Sequence, residues 1–447
     1  MSASPPTHVG RLGITPATTE FVILSFEGPD QPYSQAGGLG VRVTELSQAL
    51  AEAGFRTTLV FIGDPALPSV EQRVHDRLTL RRWGQWLSQH HPGGVYDGEA
   101  AKVADYSGSV PYFVLDELAR PAAAANRLLV VLAEDWQTAD ALCHLSDLLA
   151  YFDLRDRALL LWNANNDFSF GHINWGRLGY VATLTTVSRY MKHVLWKIGI
   201  NPLVIPNGIP ESFLAPPDSK QVAALREAVG GSPFLFKIGR FDPSKRWLMA
   251  VDAAVRLKQR GQHVKLLMRG GMEPHGGEVI HHAYSQGLAV HDVVAPDQEF
   301  ETLCEAIAAA ADADIINLRS FISDDFKRVC YRAADIVLAN SGHEPFGIVG
   351  LEVMGAGGIV VLGGTGEDYA IPFENCLVAE TDDPEEIVGY VTTLRMQPAL
   401  LTNIRTEARK TAALFTWDHV IGNLVSRLNY LAAAQQAVFS DRGGYGA

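Results

Sequence analysis

The chain has 447 residues, which is long for one ordinary domain and predicts two. Apolar residues make up 47% of it and charged residues 19%, which is enough apolar material for two buried cores. The 50 acidic and 37 basic side chains give a formal net charge of −13. Because phosphate backbones and anionic lipids need cationic counter-charge, this balance argues against nucleic acid as a partner and against permanent docking on anionic lipid.

The sequence carries no pattern typical of export or of a membrane span. Its first 20 residues have no apolar core of the kind that a secretory signal needs. No apolar run approaches the roughly 20 residues of a transmembrane helix. The cysteines (Cys143, Cys304, Cys330 and Cys376) are scattered without zinc-ligand spacing and predict buried, reduced thiols. We therefore expect a soluble, cytoplasmic protein without stable membrane insertion.

Short apolar runs recur along the chain and alternate with helical patterns. The apolar residues of these runs are continuous instead of alternating, which is typical of strands covered on both faces by helices in a parallel sheet. The first series is FVILSF (21–26), TTLVFIG (57–63), LLVVLAE (128–134), ALLLWN (158–163), ATLTTVS (182–188) and PLVIP (202–206). The second is FLFKIG (234–239), VKLLMRG (264–270), DIINL (314–318), DIVLAN (335–340) and GIVVLGG (358–364). They predict two Rossmann-like, doubly wound α/β halves with ligands at the carboxyl ends of the strands.

The two series are separated by a segment rich in proline, glycine and serine, PNGIPESFLAPPDSK (206–220). We place the domain boundary there, with an N-terminal domain over 1–208 and a C-terminal domain over 209–415. Residues 64–125 lack a clear period, so we interpret them as an irregular insertion in the first domain.

The strongest motif is HEPFGIVGLE (343–352), which follows the apolar run ADIVLANS. A helix opening near Phe346 would let the carboxylates of Glu344 and Glu352 face one elongated ligand at points about 10 Å apart. The free N–H groups and positive dipole end of that helix suit a diphosphate. The alternative is that Glu344 is a capping acid and Glu352 a solvated helix residue.

Two further motifs follow the first strand of each series. In KIGRFDPSKRW (237–247), Arg240 and Lys245 lie in a loop where they can neutralise a pyrophosphate leaving group, unless the loop is an ordinary charged one. In QAGGLGVRVTEL (35–46), Gly37 and Gly38 let the backbone approach a ligand closely. The second motif is neither a GxGxxG fingerprint nor a P-loop, and alone it is weak.

Together with IPNGI (205–209), these motifs occur in the order typical of the retaining glycosyltransferases of the large bacterial family 4, which the chain resembles over roughly residues 20–430. It is also similar to the related starch and glycogen synthases. The resemblance implies the GT-B architecture, in which two Rossmann-like domains face a cleft. It also implies that residues 416–447 form a helix returning to the N-terminal domain.

The resemblance also implies roles for particular residues. Glu344 would contact hydroxyls of the donor sugar and Glu352 its ribose, while Arg240 and Lys245 would stabilise the departing diphosphate. Further donor contacts would come from the backbone N–H groups of Gly347, Ile348 and Val349, from a nucleobase loop of Arg319, Ser320 and Phe321, and from Gly37 and Gly38.

The chain departs from the synthase pattern at several positions. It has Gln35 where the synthases carry a lysine, which removes one cation and weakens the case for a true glycogen synthase. In AEDWQT (133–138), Glu134 stands where they usually have a histidine. Many family members place a histidine after the strand that here reads LLLWN, where this chain offers Asn163, Asn165 and Asn166 with His172 farther on, and which of them replaces the histidine stays open. The resulting acceptor-side candidates are Glu134, Asp135, Asn163, Asn165 and His172, with Asn166 beside them; the alternative is that they are ordinary polar loop residues.

The sequence thus predicts an enzyme that transfers a hexosyl group, with retention, from a nucleoside-diphosphate sugar to an unidentified small-molecule or glycan acceptor. No metal or other cofactor is expected, since Asp312-Ala313-Asp314 precedes a strand instead of following one and His281-His282 and His90-His91 lack the spacing of a helical zinc site. Alternatives that remain open are a sugar phosphorylase or glucan synthase of the same fold, a nucleotide-sugar epimerase, and a non-catalytic nucleotide-sugar-binding module.

Overall fold

The computed structural model describes residues 13–30, 33, 37–364 and 366–437. The chain divides into two compact units, one formed by residues 1–208 with 417–447 and the other by residues 209–416. Gln35, where the synthases carry a lysine, lies outside the described residues. Each unit is built around its own largely parallel sheet.

The sheet of the first unit has the order β3-β4-β2-β1-β5-β6-β7-β8. Its strands are β1 (Thr19–Leu24), β2 (Arg56–Ile62), β3 (Val70–Arg73), β4 (Leu78–Trp83), β5 (Leu128–Glu134), β6 (Ala158–Ala164), β7 (Thr183–Thr186) and β8 (Leu203–Val204). Neighbouring strands are parallel except β3 and β4. Every residue of β5 and β6 is buried, as the continuous apolar runs predict for central strands.

The helices of this unit that precede the boundary are α1 (Gly38–Glu52), α2 (Gln85–Ser88), α3 (Glu99–Phe113), α4 (Arg120–Ala124), α5 (Ala139–Tyr151), α6 (Trp175–Val181) and α7 (Arg189–Trp196). A π-helical turn, Val114–Ala119, joins α3 to α4. These helices pack their apolar side chains on a core that includes Val43, Leu46 and Leu50 of α1.

The interpretation of residues 64–125 as irregular was wrong, because they contain β3, β4 and the long helix α3. Their sequence hides this regularity. Strand β4 alternates buried and half-buried residues, and β3 at the sheet edge is mostly exposed, so neither is a continuous apolar run. Helix α3 contains Pro111, a residue that ordinarily interrupts helices.

The sheet of the second unit has the order β11-β12-β10-β9-β13-β14-β15, and its strands are parallel throughout. The strands are β9 (Phe234–Ile238), β10 (Lys265–Arg269), β11 (Val290–Val293), β12 (Ile315–Leu318), β13 (Ile336–Ala339), β14 (Val360–Leu362) and β15 (Leu377–Val378). The helices are α8 (Ser219–Val229), α9 (Trp247–Gln259), α10 (His275–Ser285), α11 (Phe300–Ala308), α12 (Asp324–Ala333), α13 (Ile348–Gly355), α14 (Glu385–Met396) and α15 (Pro398–Ala413). The two-unit α/β class predicted from the sequence is confirmed.

The last helix, α16 (Trp417–Ala434), belongs to the first unit. Its Trp417 indole donates a hydrogen bond to Glu45 of α1 at 2.9 Å. The same ring packs on Gly208, where a Cβ atom would lie only 2.5 Å from a ring carbon. The glycine of the IPNGI segment is therefore required by this close approach.

Each cysteine is a free thiol, and all are buried except Cys304, which is half-buried. Among the described residues, no helix combines the length and the apolar character needed to cross a membrane.

Candidate active site

The switch point of the second sheet lies between β9 and β13. The chain leaves β9 toward β10 on one side and leaves β13 toward β14 on the other, so a crevice opens at their carboxyl ends. Two loops meet there, residues 239–246 after β9 and residues 340–347 after β13. The Gly342 N–H donates to the Ser244 carbonyl at 2.8 Å and links the two loops directly.

The 239–246 loop is shaped by Asp242. Its carboxylate accepts hydrogen bonds from the Ser244 N–H at 2.8 Å and the Ser244 hydroxyl at 2.5 Å, which fixes the turn Pro243–Lys245. These bonds, helped by the charges of Arg240 and Lys245, hold the pKa of Asp242 below its usual range. The Trp247 indole donates to the Arg240 carbonyl at 2.8 Å. The turn leaves the Arg240 side chain exposed at the crevice.

Lys245 and Glu344 meet across the two loops. The lysine Nζ lies 2.5 Å from Glu344 Oε1, and each side chain is 20% exposed. Two of the predicted catalytic residues are thus in direct contact. Glu344 lies in a loop and not on a helix, because Gly347 has a left-handed backbone (φ 80°) and α13 begins only at Ile348. The expectation of a helix from about Phe346 was therefore wrong by two residues.

Helix α13 points its first turn at the crevice end of the sheet. Gly347 is its N-cap, and the Gly347 carbonyl accepts a hydrogen bond from the Tyr369 hydroxyl at 2.5 Å. The backbone N–H groups of Ile348 and Val349 belong to that first turn and have no acceptor within the helix. An anion at this position would meet donors and the positive end of the helix dipole together.

Glu352 lies on α13, about one turn after its first residue Ile348. Its carboxylate accepts a hydrogen bond from the Tyr331 hydroxyl at 2.7 Å. Burial raises the pKa of Glu352, an effect partly offset by the positive charge of Lys327 and reinforced by the charge of Glu344. A half-buried carboxylate that still accepts hydrogen bonds is suited to bind ligand hydroxyls.

A pocket of about 200 Å³ lies beside Arg240. It is lined by Ile238, Gly239, Arg240, Arg269, Gly271, Phe321, Ile322 and Lys327. Phe321 is 63% exposed and offers a ring face to a planar ligand. The pocket thus brings one predicted nucleobase contact to one predicted diphosphate contact.

The other two residues of the predicted nucleobase loop have structural partners. Arg319 pairs with Asp292 at 3.1 Å on the surface. The Ser320 hydroxyl accepts from the Ala295 N–H at 2.7 Å, and its carbonyl accepts from Arg269 Nε at 2.8 Å. Arg269 therefore holds the backbone of this loop in place through its hydrogen bond to Ser320.

Three cationic side chains near the crevice were missed by the motif analysis: Lys237, Arg269 and Lys327. The signal was present, since Lys237 and Arg269 are charged residues inside or at the end of apolar runs that predict buried strands. Burial lowers the pKa of Arg269, although it stays a cation at neutral pH.

The first unit carries a buried polar cluster at the carboxyl ends of β5 and β6. Glu134, 1% exposed, accepts from Arg42 Nε at 3.3 Å and from the amides of Asn163 and Asn165 at 2.9 and 2.6 Å. Arg42 also donates to Asn207 at 2.5 Å. Four of the five acceptor-side candidates lie in or beside this cluster, namely Glu134, Asp135, Asn163 and Asn165.

Asp135 has the most unusual environment of these candidates. Its backbone (φ 64°, ψ 173°) lies in a region that is populated almost only by glycine and costs about 1–3 kcal/mol for other residues. Its carboxylate accepts from the Asn165 N–H at 3.0 Å and the Asn166 amide at 2.8 Å. Burial, reinforced by the charges of Glu134 and Glu27, raises the pKa of Asp135 to about 7.

The fifth candidate, His172, lies outside these hydrogen bonds. It is exposed, and its ring packs edge-on against Trp136 with centroids 5.0 Å apart. It thereby borders the cluster through the residue next to Asp135.

The glycine-rich turn of the first unit leads into α1. Glu27 accepts from the Gly40 N–H at 2.7 Å and from the Tyr96 hydroxyl, so it occupies the amino end of α1. A Cβ atom at Gly37 or Gly38 would meet nothing within 4 Å, and neither has a positive φ. Packing within the described residues therefore does not require glycine there, and a ligand contact at these positions stays a prediction.

Comparison with known proteins identifies the kind of domain that the second unit forms. The family model of "Glycosyl transferases group 1" matches residues 224–411, which include the 239–246 and 340–347 loops and α13. The chain carries a group 1 glycosyl transferase domain. The recognition made from the motifs is thereby confirmed.

The curated relatives that the chain matches are named as glycosyltransferases. A D-inositol 3-phosphate glycosyltransferase of Geodermatophilus obscurus is 25% identical over 240 residues, which are 52% of this chain and 48% of that protein. The chain thus spans about half the length of the curated relatives that it matches.

Solved structures resemble the whole fold. Sucrose-phosphate synthase of Thermosynechococcus elongatus aligns with 93% of this chain and 100% of its own, with 19% identity and a TM-score of 0.67. The catalytic domain of starch synthase IV from Arabidopsis thaliana, bound to ADP and acarbose, aligns over 94% and 99% with 17% identity and a TM-score of 0.65. The glycosyl transferase domain and the first unit together therefore have the GT-B fold, as the resemblance implied.

Proposed function

We propose that this protein is a retaining glycosyltransferase that moves a hexosyl group from a nucleoside-diphosphate sugar to a hydroxyl of its acceptor. The observation that carries the proposal is the meeting of Lys245 and Glu344 at the switch point of the second sheet, beside Arg240 and the first turn of α13. Cations and N–H donors at one place fit a diphosphate, and a carboxylate next to them fits sugar hydroxyls.

The reaction breaks the bond between the anomeric carbon and the diphosphate oxygen. The bonding pair leaves with that oxygen, and the negative charge that grows there is stabilised by Arg240, Lys245 and the N–H groups of α13. The acceptor oxygen forms the new bond to the anomeric carbon from the same face. Its proton goes to the departing phosphate oxygen, so charge and atoms balance. Front-face attack rests on the resemblance to retaining enzymes, and the anomeric configuration of the product, read by NMR, tests it.

Glu352 and Phe321 supply the remaining donor contacts in this proposal. Glu352 accepts hydrogen bonds from the ribose hydroxyls, and Phe321 stacks on the nucleobase at the mouth of the pocket of about 200 Å³. The starch synthase that shares the fold was solved with ADP, which supports a nucleoside diphosphate as the ligand class.

The polar cluster of the first unit binds the acceptor in this proposal. The carboxylates of Glu134 and Asp135 and the amides of Asn165 and Asn166 offer both acceptors and donors to a polyhydroxylated molecule, whether small or a glycan. A pKa of about 7 also lets Asp135 hold or release a proton at neutral pH.

The cationic loop takes the role that a divalent ion plays in metal-dependent transferases, so we propose that no metal is needed. Transfer rates with and without a chelator test this. A large loss that magnesium or manganese restores would contradict it.

The first test of the function is a thermal-shift panel of UDP, ADP, GDP and their glucose conjugates. A ligand that binds the folded state raises Tm by mass action. At a ligand concentration of one hundred times Kd, the free energy of unfolding rises by about 2.7 kcal/mol. The conjugate that stabilises the protein is then incubated with candidate sugars and polyols, and the products are separated and weighed by mass spectrometry. Release of sugar 1-phosphate from a disaccharide with inorganic phosphate would favour a phosphorylase instead, and binding without any turnover would favour a non-catalytic module.

A further inference from the structure

Lys237 is a charged residue in the middle of a buried sheet. It is the fourth residue of β9, and only 2% of it is exposed. Its ammonium donates to the Leu338 carbonyl at 3.1 Å and to Asn340 Oδ1 at 2.6 Å. The Trp247 ring lies over it, with 5.1 Å between Nζ and the ring centroid. Burying a charge is costly unless it is paired, so hydrogen bonds of this kind are needed to keep it inside.

These contacts join the bases of both crevice loops. Leu338 belongs to β13, and Asn340 begins the loop that ends at Gly347. Trp247 closes the other loop and holds its Arg240 carbonyl at 2.8 Å. The Asn340 amide also lies 3.4 Å from Met249 Sδ, which fixes the orientation in which Asn340 presents its oxygen to Lys237. Lys237 therefore ties together the two strand ends from which Lys245 and Glu344 project.

The surroundings of Lys237 disfavour its protonated form. Burial, and then the positive charges of Lys245 and Arg246, lower the pKa of Lys237 to about 7, while the negative charge of Glu344 opposes them. A diphosphate beside Lys245 would add negative charge to this set, and a nearby anion favours the protonated form of a lysine.

We propose that Lys237 is a positioning residue that holds the two crevice loops together and gains a proton when a diphosphate binds beside Lys245. This inference rests on the proposed function, because it needs a diphosphate at the crevice. It assigns a role to a residue that need not touch the substrate, since Lys237 would act through Asn340 and Trp247 on the loops that do.

Proton uptake is measured directly on the unmodified protein. UDP, ADP and GDP are titrated calorimetrically at pH 8 in two buffers of different ionisation enthalpy. At this pH Lys237 is mostly neutral before a diphosphate binds. We expect about 0.5 to 1 proton taken up per diphosphate bound. Binding without uptake would overturn the inference and leave the proposed function standing. If none of the three diphosphates binds, the proposed function falls and this inference with it.

Variants then locate the proton. Lys237→Met removes the ammonium at nearly constant length, and Lys258→Met is the matched control, because Lys258 is exposed on α9 and pairs with Asp314 at 2.7 Å. In the wild type and the control, diphosphate affinity should fall by up to about tenfold per pH unit above pH 7.5, whereas in Lys237→Met this slope should disappear. The kcat of Lys237→Met should fall more than tenfold because the loops lose their common anchor.

A slope in Lys237→Met equal to that of the control would overturn the assignment, since a merely structural lysine would lower stability without changing proton linkage. If Lys237→Met does not fold, the same comparison of pH slopes is made with Lys237→Gln, and a slope equal to that of the control overturns the assignment. Lys237→Gln, which keeps a hydrogen-bond donor without a titrating charge, should retain more activity than Lys237→Met and show the same flat pH dependence.

Discussion

The Lys245 ammonium and the Glu344 carboxylate lie 2.5 Å apart although they are separated by 99 positions in the chain. Each side chain is partly exposed, and ion pairs of this kind add at most about 1 kcal/mol to stability. We therefore infer that the contact orients the two side chains instead of stabilising the fold. It holds Lys245 Nζ between the two loops, where a ligand can bind both groups.

Lys245→Ala should lower kcat by on the order of 10²–10³, because a cation aimed at a leaving oxygen gains strength as negative charge grows there. Binding of the nucleoside diphosphate should weaken less. Lys245→Arg should restore only part of the rate, since a planar guanidinium does not replace a compact ammonium at a fixed point. Steady-state kcat and donor KM for both variants provide the measurement. Near wild-type turnover in Lys245→Ala would remove the residue from the mechanism.

Glu352→Ala should raise the donor KM more than it lowers kcat, because a ribose contact exists in the ground and transition states alike. The loss of a hydrogen bond to a charged group is worth about 1.5–3 kcal/mol. Tyr331→Phe serves as the companion, since it removes only the 2.7 Å hydrogen bond to that carboxylate and should have a smaller effect in the same direction. A collapse of kcat at unchanged KM in Glu352→Ala would show that the ribose role is wrong.

Arg42→Met should destabilise the first unit by about 3–5 kcal/mol, because it leaves the buried Glu134 carboxylate without its cation. Glu134→Gln in the same background should recover much of that loss, since the neutral amide no longer needs the arginine. Urea unfolding of both single variants and the double variant gives the coupling energy. Additive effects of the two substitutions would mean that the 3.3 Å contact between Arg42 and Glu134 contributes nothing to stability.

The free energy of unfolding of Asp135→Asn, taken relative to that of the wild type, should increase as the pH rises. The pKa of Asp135 is raised to about 7 from the usual 3.8, so the folded state holds the proton more tightly than the unfolded chain does between about pH 4 and pH 7. The wild type therefore loses stability over that window, whereas a neutral asparagine does not. The gain should be on the order of a few kcal/mol between pH 4 and pH 7.5.

The measurement for Asp135 is the free energy of unfolding against pH, with Asp156→Asn as the control at an exposed position of the same unit. Parallel pH profiles for wild type and Asp135→Asn would contradict the raised pKa. An asparagine at 135 can keep the backbone hydrogen bond from Asn165 through its carbonyl. Its bond with the Asn166 amide is lost, because the Asn166 oxygen already accepts from the Phe168 N–H at 2.9 Å, but this loss is the same at every pH and leaves the pH dependence unchanged.

The sequence by itself determined the fold class. Every apolar run of the two series became a strand, because strands covered on both faces by helices are apolar along most of their length and so leave a continuous signal. The strands that were missed lack this property. The edge strands β3 and β11 contain exposed residues, and β4 alternates buried and half-buried ones. Strand β15 has only two residues.

The motifs also placed Arg240 and Lys245 after β9 and Glu344 after β13, as the structure has them, since a motif records which residues follow a strand. Only the tertiary structure decided which of them meet. The order of strands in the sheet sets which loops share the switch point, and that order brings Lys245 to Glu344 and Lys237 to Asn340. Likewise the pairing of Arg42 with Glu134 depends on β1 and β5 being neighbours, a relation between segments some 90 positions apart that no local pattern encodes.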